Sequence, residues 1–506
     1  MATHLLIDSP LLKNIYRDVL ALLAGWLFTL AFAPYHYAYL APVALVILFA
    51  SWQNTSLWRA VLRGYLFGLS SFGLGVSWVY ISIHDFGGAD ALSSAAMTVL
   101  FVLFWSLFPA LAAFLSISLG AHKHPSLTAF TWVLVEYFRG VILLNGFPWL
   151  LGAYSQLTTP LAGYIPIVGA YGTSFFLALS AILVVRFLQK PPLRKSSVIL
   201  LLLIWLVGGV LQQITWTHPS GAPFRVSLVQ GNITQDQKWR PENRLNTLLL
   251  YKKLTEAHWD SQVIIWPETA IPAFLDDVDE FFLIPLQQSA LAHSTDLVVS
   301  LPMTGKNPQE IYNGVITLGK ERDIYRKNHL LPFGEYMPWQ PVSGFILKQL
   351  NIRLGDFTPG GQHQALLKAA GYPFITSICY EDAFGDANIS GLPDAAYLVN
   401  VTNDGWFGDS LEPHQHLQIA AMRALETGRY LLRATNTGAT AVIAPNGKIL
   451  SQAPLFETTV LTEMITPMSG MTPYAHIGDQ PVIVIIVMLL FIGLAWRRWT
   501  RRWLSS

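Results

Sequence analysis

Apolar positions fall into two regimes along the chain. From Asp18 to Thr215 long apolar runs follow one another, and from about Thr217 to Asp479 apolar and polar positions alternate over short distances. The run PVIVIIVMLLFIGLAW then closes the chain. A bilayer core about 30 Å thick is crossed by roughly 20 apolar residues of helix. By that length seven membrane helices are predicted near 12–34, 37–53, 58–83, 90–120, 124–143, 160–188 and 196–214, and an eighth near 480–497. The second is short. The fifth, TAFTWVLVEYFRGVILL, carries Glu136 and Arg139. Three positions apart on one helix, these two can pair while facing the bundle interior or lining a cavity, a structural or a functional arrangement.

In the middle region FRVSLVQGN, SQVIIWPET, TDLVVSLPM, GVITLG, PFITSICYED, AAYLVNVTND and TAVIAPNGKIL are short, β-branched and bounded by Gly, Pro, Asn or Asp, which predicts strands. The last turns at Asn446-Gly447, a hairpin signal. RPENRLNTLLLYKKLTEAH and EPHQHLQIAAMRALETGRYLLRA have helical spacing, the second through Leu417, Ala420, Ala424, Leu425, Gly428 and Leu431. The expected organisation is a polytopic α-helical membrane region of about seven helices over 1–216, an α/β sandwich-type domain with strands buried on both faces over 217–479, and an eighth helix with a basic tail over 480–506.

Charge orients this arrangement. Lys13 and Arg17 precede the first span, Arg59 and Arg63 lie between the second and third, and Lys123 follows the fourth. Arg186, Lys190, Arg194 and Lys195 join the sixth to the seventh, and Arg497, Arg498, Arg501 and Arg502 follow the eighth. The alternate loops APYHYAY and IHDFGGADA contain no Lys or Arg. Basic loops stay cytoplasmic, so both termini are expected inside and the 217–479 block outside, in the periplasm of a bacterium. No cleavable signal peptide is expected, because another span follows the first apolar segment directly.

Composition agrees with a membrane protein: 52% of residues are hydrophobic and only 12% charged, against about 25% charged in soluble domains. A formal net charge of +1 leaves no basic excess for a nucleic-acid surface. The chain has no GxxxxGK loop and no GxGxxG, which argues against a nucleotide cofactor. His414 and His416 with Glu412 suggest a metal, but i, i+2 residues on a helix point apart and no third ligand is evident, so none is expected.

The chain has a single cysteine, Cys379, which cannot form an intrachain disulfide. A free thiol in an oxidising compartment is exposed to damage, so its retention asks for a reason. Glu268 follows the run VIIWP, Lys327 follows DIYR and Cys379 follows FITSI, so each stands where a predicted strand ends. Such positions project into the crevice where α/β domains bind ligands. With a thiol pKa near 8.5 only a few per cent is thiolate at neutral pH. A carboxylate can take the proton during attack, and an ammonium can hold the charge that develops on a carbonyl oxygen.

WPE (266–268), RKNHLLPFGEYMP (326–338) and CYED (379–382), in that order, resemble the Glu-Lys-Cys triad of the nitrilase superfamily. With the flanking spans the chain is similar to that superfamily's membrane-embedded branch, the apolipoprotein N-acyltransferases. VQGNITQDQKW, YNGVI, NDGWFG, RALETGRYLLRATNTG and PNG add to the resemblance, which covers nearly the whole chain. It implies an αββα external domain, no cofactor and no metal. It also implies transfer of an acyl chain from a glycerophospholipid, through a thioester on Cys379, to the α-amino group of an S-diacylglyceryl-cysteine apolipoprotein. Glu268 would be the general base, and Lys327 would share the oxyanion hole with the backbone N–H of Tyr380. Glu335 would orient Lys327 or assist proton transfer, and Asn313 matches a position near the site. Glu381 is a supporting acid or a cap of the following helix, and Asp382 a cap. Trp239, Phe333 and Tyr336 would line a lipid entrance, with core packing the alternative for Trp239 and Phe333. PWQPVSGF and DFTPGGQH are candidate flaps or ordinary surface loops. The expected partners are the phospholipid donor, the diacylglyceryl acceptor and membrane lipid, with the chain a monomer. Competing expectations are a membrane-anchored amidase using the same triad with water, and a transporter or scaffold with an inactive external domain.

Overall fold

The computed structural model describes residues 10–121, 124–189, 194–338 and 357–505, apart from the side chains of residue 10 and of 496–505. Lys123, Lys190 and nearly all of PWQPVSGF lie outside the described residues. The chain forms two compact units. One comprises Leu92–Ile214 with the segments before Ile81 and after His476; the other comprises Thr215–His476 with Ile81–Ala91.

In the first unit helices occupy all eight expected stretches. Four of them, Ala91–Ser118, Leu127–Asn145, Pro160–Gln189 and Arg194–Leu211, are long and apolar enough to cross a bilayer. A fifth crossing results if Leu57–Gly75 and Val79–Phe86, bent by 59°, count as one. Among the described residues, length and composition therefore support four to five crossings and do not confirm the expected eight. Leu40–Ser51 has only 12 residues, and Pro10–Thr29 carries Lys13, Arg17 and Asp18. Helices approach closely where glycine replaces side chains: a Cβ on Gly64 would lie 2.5 Å from Pro109 O, and one on Gly68 2.6 Å from Ser106 Cα.

Three charged side chains in this unit are buried against specific partners. Arg63, expected in a loop, lies within Leu57–Gly75 and donates to Asp18 Oδ1 at 2.9 Å and Asn14 Oδ1 at 3.0 Å. Arg139 donates to the carbonyls of Phe147 and Trp149, each at 2.7 Å, and Glu136 accepts from Gly152 N at 3.1 Å. Glu136 and Arg139 thus both brace the irregular backbone around 147–152, supplying partners that water would otherwise provide.

The second unit carries strands β1 (Thr217–Pro219), β2 (Phe224–Gln230), β3 (Val263–Ile265), β4 (Asp296–Thr304), β5 (Ile311–Leu318), β6 (Ile324–Arg326) and β7 (Leu367–Ala369). It continues with β8 (Tyr372–Ile378), β9 (Tyr397–Thr402), β10 (Leu431–Thr435), β11 (Ala441–Ile443), β12 (Ile449–Gln452), β13 (Thr459–Ile465) and β14 (Met468–Gly470). They build two six-stranded sheets, β13-β2-β3-β4-β5-β6 and β12-β11-β10-β9-β8-β7. Side chains alternate along each strand, and the packing follows. Val263 and Ile265 meet Phe374, Ile378, Val399 and Val401 of the opposite sheet. Ile264 and Trp266 pack the other way, on Leu248, Leu283 and Leu286 of the outer helices. With Arg244–Glu256 and Ile284–Ala292 on one side and Glu412–Thr427 on the other, the layers run αββα. The second unit is thus an αββα sandwich, and the first an apolar helical region.

One predicted element is wrong. The helix expected to run through Leu431 ends at Thr427, where Gly428 takes φ +63° as a left-handed cap. Leu431–Thr435 is instead the buried strand β10, parallel to β9. The helical spacing ran on into it because a strand buried on both faces is apolar throughout.

Candidate active site

β3 and β4 are parallel, while β4–β5 and β5–β6 are antiparallel. β3 and β6 therefore run the same way, and Glu268 and Lys327, just past their ends, emerge at one edge of the sheet. Asn313 on β5 ties the two together. Its Nδ2 donates to Glu268 Oε1 at 2.7 Å, and its carbonyl accepts from Lys327 N at 2.8 Å. Lys327 Nζ donates to Glu335 Oε1 at 2.8 Å, while Leu331 N donates to Glu335 Oε2 at 2.9 Å. Glu335 thus holds both the ammonium and the loop that follows it.

Cys379 leaves β8 directly into a tight turn, Cys379–Ala383, with φ of +52°. A β-carbon residue in the left-handed region stores strain on the order of 1–3 kcal/mol, kept only where the surroundings over-determine it. Glu381 supplies part of that determination. Its carboxylate accepts from Ile378 N at 2.8 Å, Asn328 N at 2.7 Å, His329 N at 2.9 Å and the Tyr325 hydroxyl at 3.0 Å. Glu381 therefore stitches the cysteine turn to the lysine loop and caps the turn itself, not the helix beyond it.

Burial and the Glu268 charge push the Cys379 thiol up to about 12, against the pull of Lys327 and His416. Burial also raises the Glu268 carboxyl; Lys327 opposes the rise, Glu335 adds to it and Lys238 opposes it. Burial works against the Lys327 charge, but Glu335, the thiol and Glu268 together hold its pKa above the usual lysine value. The resting site therefore holds a neutral thiol and a firmly charged ammonium beside Glu268, whose ionisation burial opposes.

Lys238 was not legible as a site residue. In QDQKW a lysine next to polar residues reads as solvated, yet its side chain is buried and Nζ donates to the backbone carbonyl of Glu268 at 3.0 Å. Burial lowers its pKa to about 8, against the charges of Glu268 and Cys379. Its neighbour Trp239 is 51% exposed and Phe333 49%, with Tyr336 half-buried, so neither Trp239 nor Phe333 packs in the core.

Behind the cysteine turn lies a second cluster. Asp382 does not cap a helix: it is fully buried and accepts from His416 Nε2 at 2.9 Å and Arg433 Nη1 at 3.3 Å. Asp404 Oδ2 accepts from Arg433 Nη2 at 3.1 Å, and Asp404 Oδ1 lies 3.2 Å from His416 Nδ1. Glu412, one helical turn before His416, approaches the same nitrogen at 3.3 Å. Despite burial and Arg433, the pull of Asp382 and Asp404 raises the His416 pKa well above its usual value. Burial opposes ionisation of Asp404, but Arg433 and His416 hold it down to about 2. Burial and Asp404 raise Glu412 to about 7.

The ligand atoms of Asp404, Glu412 and His416 lie within 4.8 Å of one another, a convergence the sequence did not show because Asp404, the third member, stands on the separate turn Asp404–Phe407. Arg433 and protonated His416 already place two cations on these carboxylates, so the donor set suits an ion network of the chain's own better than a metal.

A family model for the N-terminal domain of apolipoprotein N-acyltransferase matches residues 24–183, and one for carbon-nitrogen hydrolases matches residues 225–472. The chain is 48% identical to an apolipoprotein N-acyltransferase of Methylococcus capsulatus, over 95% of its own length and 96% of the relative's. It is 40% identical to those of Nitrosomonas europaea and Coxiella burnetii, over 95% and 94% of its length and 98% and 99% of theirs. Helical region and sandwich domain are matched together from end to end, and the chain belongs to the apolipoprotein N-acyltransferase family of membrane-embedded, nitrilase-fold acyltransferases.

Proposed function

We propose that the protein N-acylates apolipoproteins through a thioester on Cys379, using Glu268 as base and Lys327 with the Tyr380 N–H as oxyanion donors. The observation that carries this is the shared hydrogen-bond frame in which Asn313 joins Glu268 to Lys327 and Glu381 joins the Lys327 loop to the Cys379 turn.

In the first step Cys379 Sγ bonds to the ester carbonyl carbon of a glycerophospholipid while Glu268 takes the thiol proton. The carbonyl π electrons move to oxygen, facing the Lys327 ammonium. Collapse breaks the ester C–O bond, Glu268 returns the proton to the leaving oxygen, and a lysophospholipid departs. In the second step the α-ammonium of an S-diacylglyceryl-cysteine gives a proton to Glu268. That proton leaves to solvent; the freed amine attacks the thioester carbon, Glu268 takes a second proton from the nitrogen of the adduct, the C–S bond breaks, and Glu268 passes this proton to the sulfur as the amide forms.

The high thiol pKa makes a base necessary and keeps the resting sulfur protonated, which protects a lone cysteine from oxidation. Trp239 and Phe333, exposed beside the site, suit a lipid entrance. Basic loops on one side support a reading in which the sandwich domain, with limits near 216 and 479, lies outside the cytoplasm, in the periplasm of a bacterial inner membrane.

The test is incubation of purified protein in phospholipid vesicles with a synthetic S-diacylglyceryl-cysteine peptide. N-acylated peptide and lysophospholipid should appear in equal amounts and be absent with Cys379→Ala. Release of free fatty acid with no peptide product would mean that water is the second substrate and that the protein is a hydrolase.

A further inference from the structure

Resting on the reading that the Tyr380 N–H faces the developing oxyanion, we propose that Asn400, held by Arg433, is a positioning residue that aims this N–H. Cys379 C=O and Tyr380 N–H belong to one peptide group, and in a trans peptide they point in opposite directions. Whatever grips the carbonyl on one side therefore sets the direction of the N–H on the other.

Asn400 on β9 grips it: Nδ2 donates to Cys379 O at 3.3 Å and to Ser377 Oγ at 3.0 Å. Which end of the amide faces the carbonyl is fixed from behind. Arg433 on β10 donates from Nη1 to Asn400 Oδ1, and a guanidinium has no acceptor, so the oxygen must face Arg433 and the NH₂ must face Cys379. Arg433 is in turn held by Asp382 and Asp404. Asn400 and Arg433 are both fully buried, and strands β8, β9 and β10 are adjacent in parallel register, with Asn400 paired to Ser377 on one side and Arg433 on the other. A row of three polar positions across the centre of a sheet thus ends on the carbonyl of the nucleophile. Asp382, anchored by the same Arg433, pins the far end of the turn, so the peptide is held from both ends. The strain implied by φ of +52° at Cys379 gives that clamp something to hold.

The test compares two reactions of the same sulfur. Acylation by a phospholipid passes through an oxyanion; alkylation by iodoacetamide displaces iodide and does not. Asn400→Asp and Asn400→Ser would both remove the donor to Cys379 O. In whichever variant retains the thermal transition of the wild type, single-turnover acylation should fall by about 100-fold, the order lost with one oxyanion donor. KM for phospholipid and the alkylation rate should stay within about threefold of wild type, because neither depends on the N–H. A parallel fall in both reactions, unchanged acylation, or failure of both variants to fold would overturn the proposal and make Asn400 scaffold. If the wild type is alkylated but takes no acyl chain from phospholipid, the proposed function fails instead. The Asn400 comparison is then read with p-nitrophenyl butyrate as acyl donor.

Discussion

Two clusters of buried charge flank Cys379, and they differ in how tightly their charges are tied. In front, Glu268, Lys327 and Lys238 surround the thiol, and the charged end of each has a single hydrogen-bond partner among the described residues: Asn313 Nδ2, Glu335 Oε1 and Glu268 O. Behind, Asp382, Asp404, His416 and Arg433 each make two or more carboxylate–cation contacts, and Glu412 adds one to His416; among the described residues of this cluster only Glu412 Oε2 and Arg433 Nε stand buried without a partner. A group that must exchange protons and receive substrate keeps few fixed contacts; a group that must not move is tied by several. Titratable residues next to a nucleophile are therefore not all machinery, and the arrangement of contacts tells the two kinds apart.

Changes in front should cost rate and leave the fold intact. Glu268→Gln removes the base while keeping an acceptor for Asn313, so acyl-enzyme formation measured by quenched flow should drop by about 10²–10⁴-fold with the thermal midpoint nearly unchanged. A large loss of stability would place Glu268 with the structural cluster. The rear cluster should behave conversely: Arg433→Met removes one of the two cations that Asp382 and Asp404 share and leaves them His416 alone among the described residues, and denaturant unfolding should show a loss of about 3–5 kcal/mol. Stability within error of wild type would dissolve the distinction between the clusters.

Lys238 sharpens the comparison, because its effect should be on pH dependence. Its charge favours the ionised form of Glu268, whose pKa burial has raised; Lys327 also favours it, Glu335 opposes it, and the Asn313 amide donates to it. Since Glu268 acts as a carboxylate, the acid limb of the acylation rate lies where that group loses its proton. Lys238→Met should move this limb to higher pH, and Lys238→Arg should restore it if the longer side chain is accommodated. A limb that stays in place in Lys238→Met would show that the lysine only fills space. The smallest effect is expected at the rim: Trp239→Ala should raise KM for phospholipid by several-fold with kcat little changed, as for lost uniform binding.

Much of this was readable from residue order. Strand ends at 265, 326 and 378 located Glu268, Lys327 and Cys379, because a β-branched run stopped by a polar residue is a local signal. What escaped was nonlocal. β10 was hidden in a helical pattern because a strand buried on both faces has no period of two. Lys238 and Asp382 looked like solvent and capping residues, since nothing in QDQK or CYED announces that residues 30 and 34 positions away will close over them. The number of membrane crossings was also less legible than the existence of the helices. Short helices such as Leu40–Ser51 satisfy an apolar pattern without satisfying the length.

The central claim is that sulfur, activated by a distant carboxylate, carries the acyl chain between two lipids. Intact-mass measurement of the wild-type protein after exposure to a phospholipid of defined acyl chains, with no acceptor present, tests it most directly. The account predicts a mass increase of one acyl group, mapped to Cys379, released by hydroxylamine and lost on adding the diacylglyceryl-cysteine peptide. An unmodified Cys379 under conditions where the peptide is nevertheless N-acylated on its addition would contradict it.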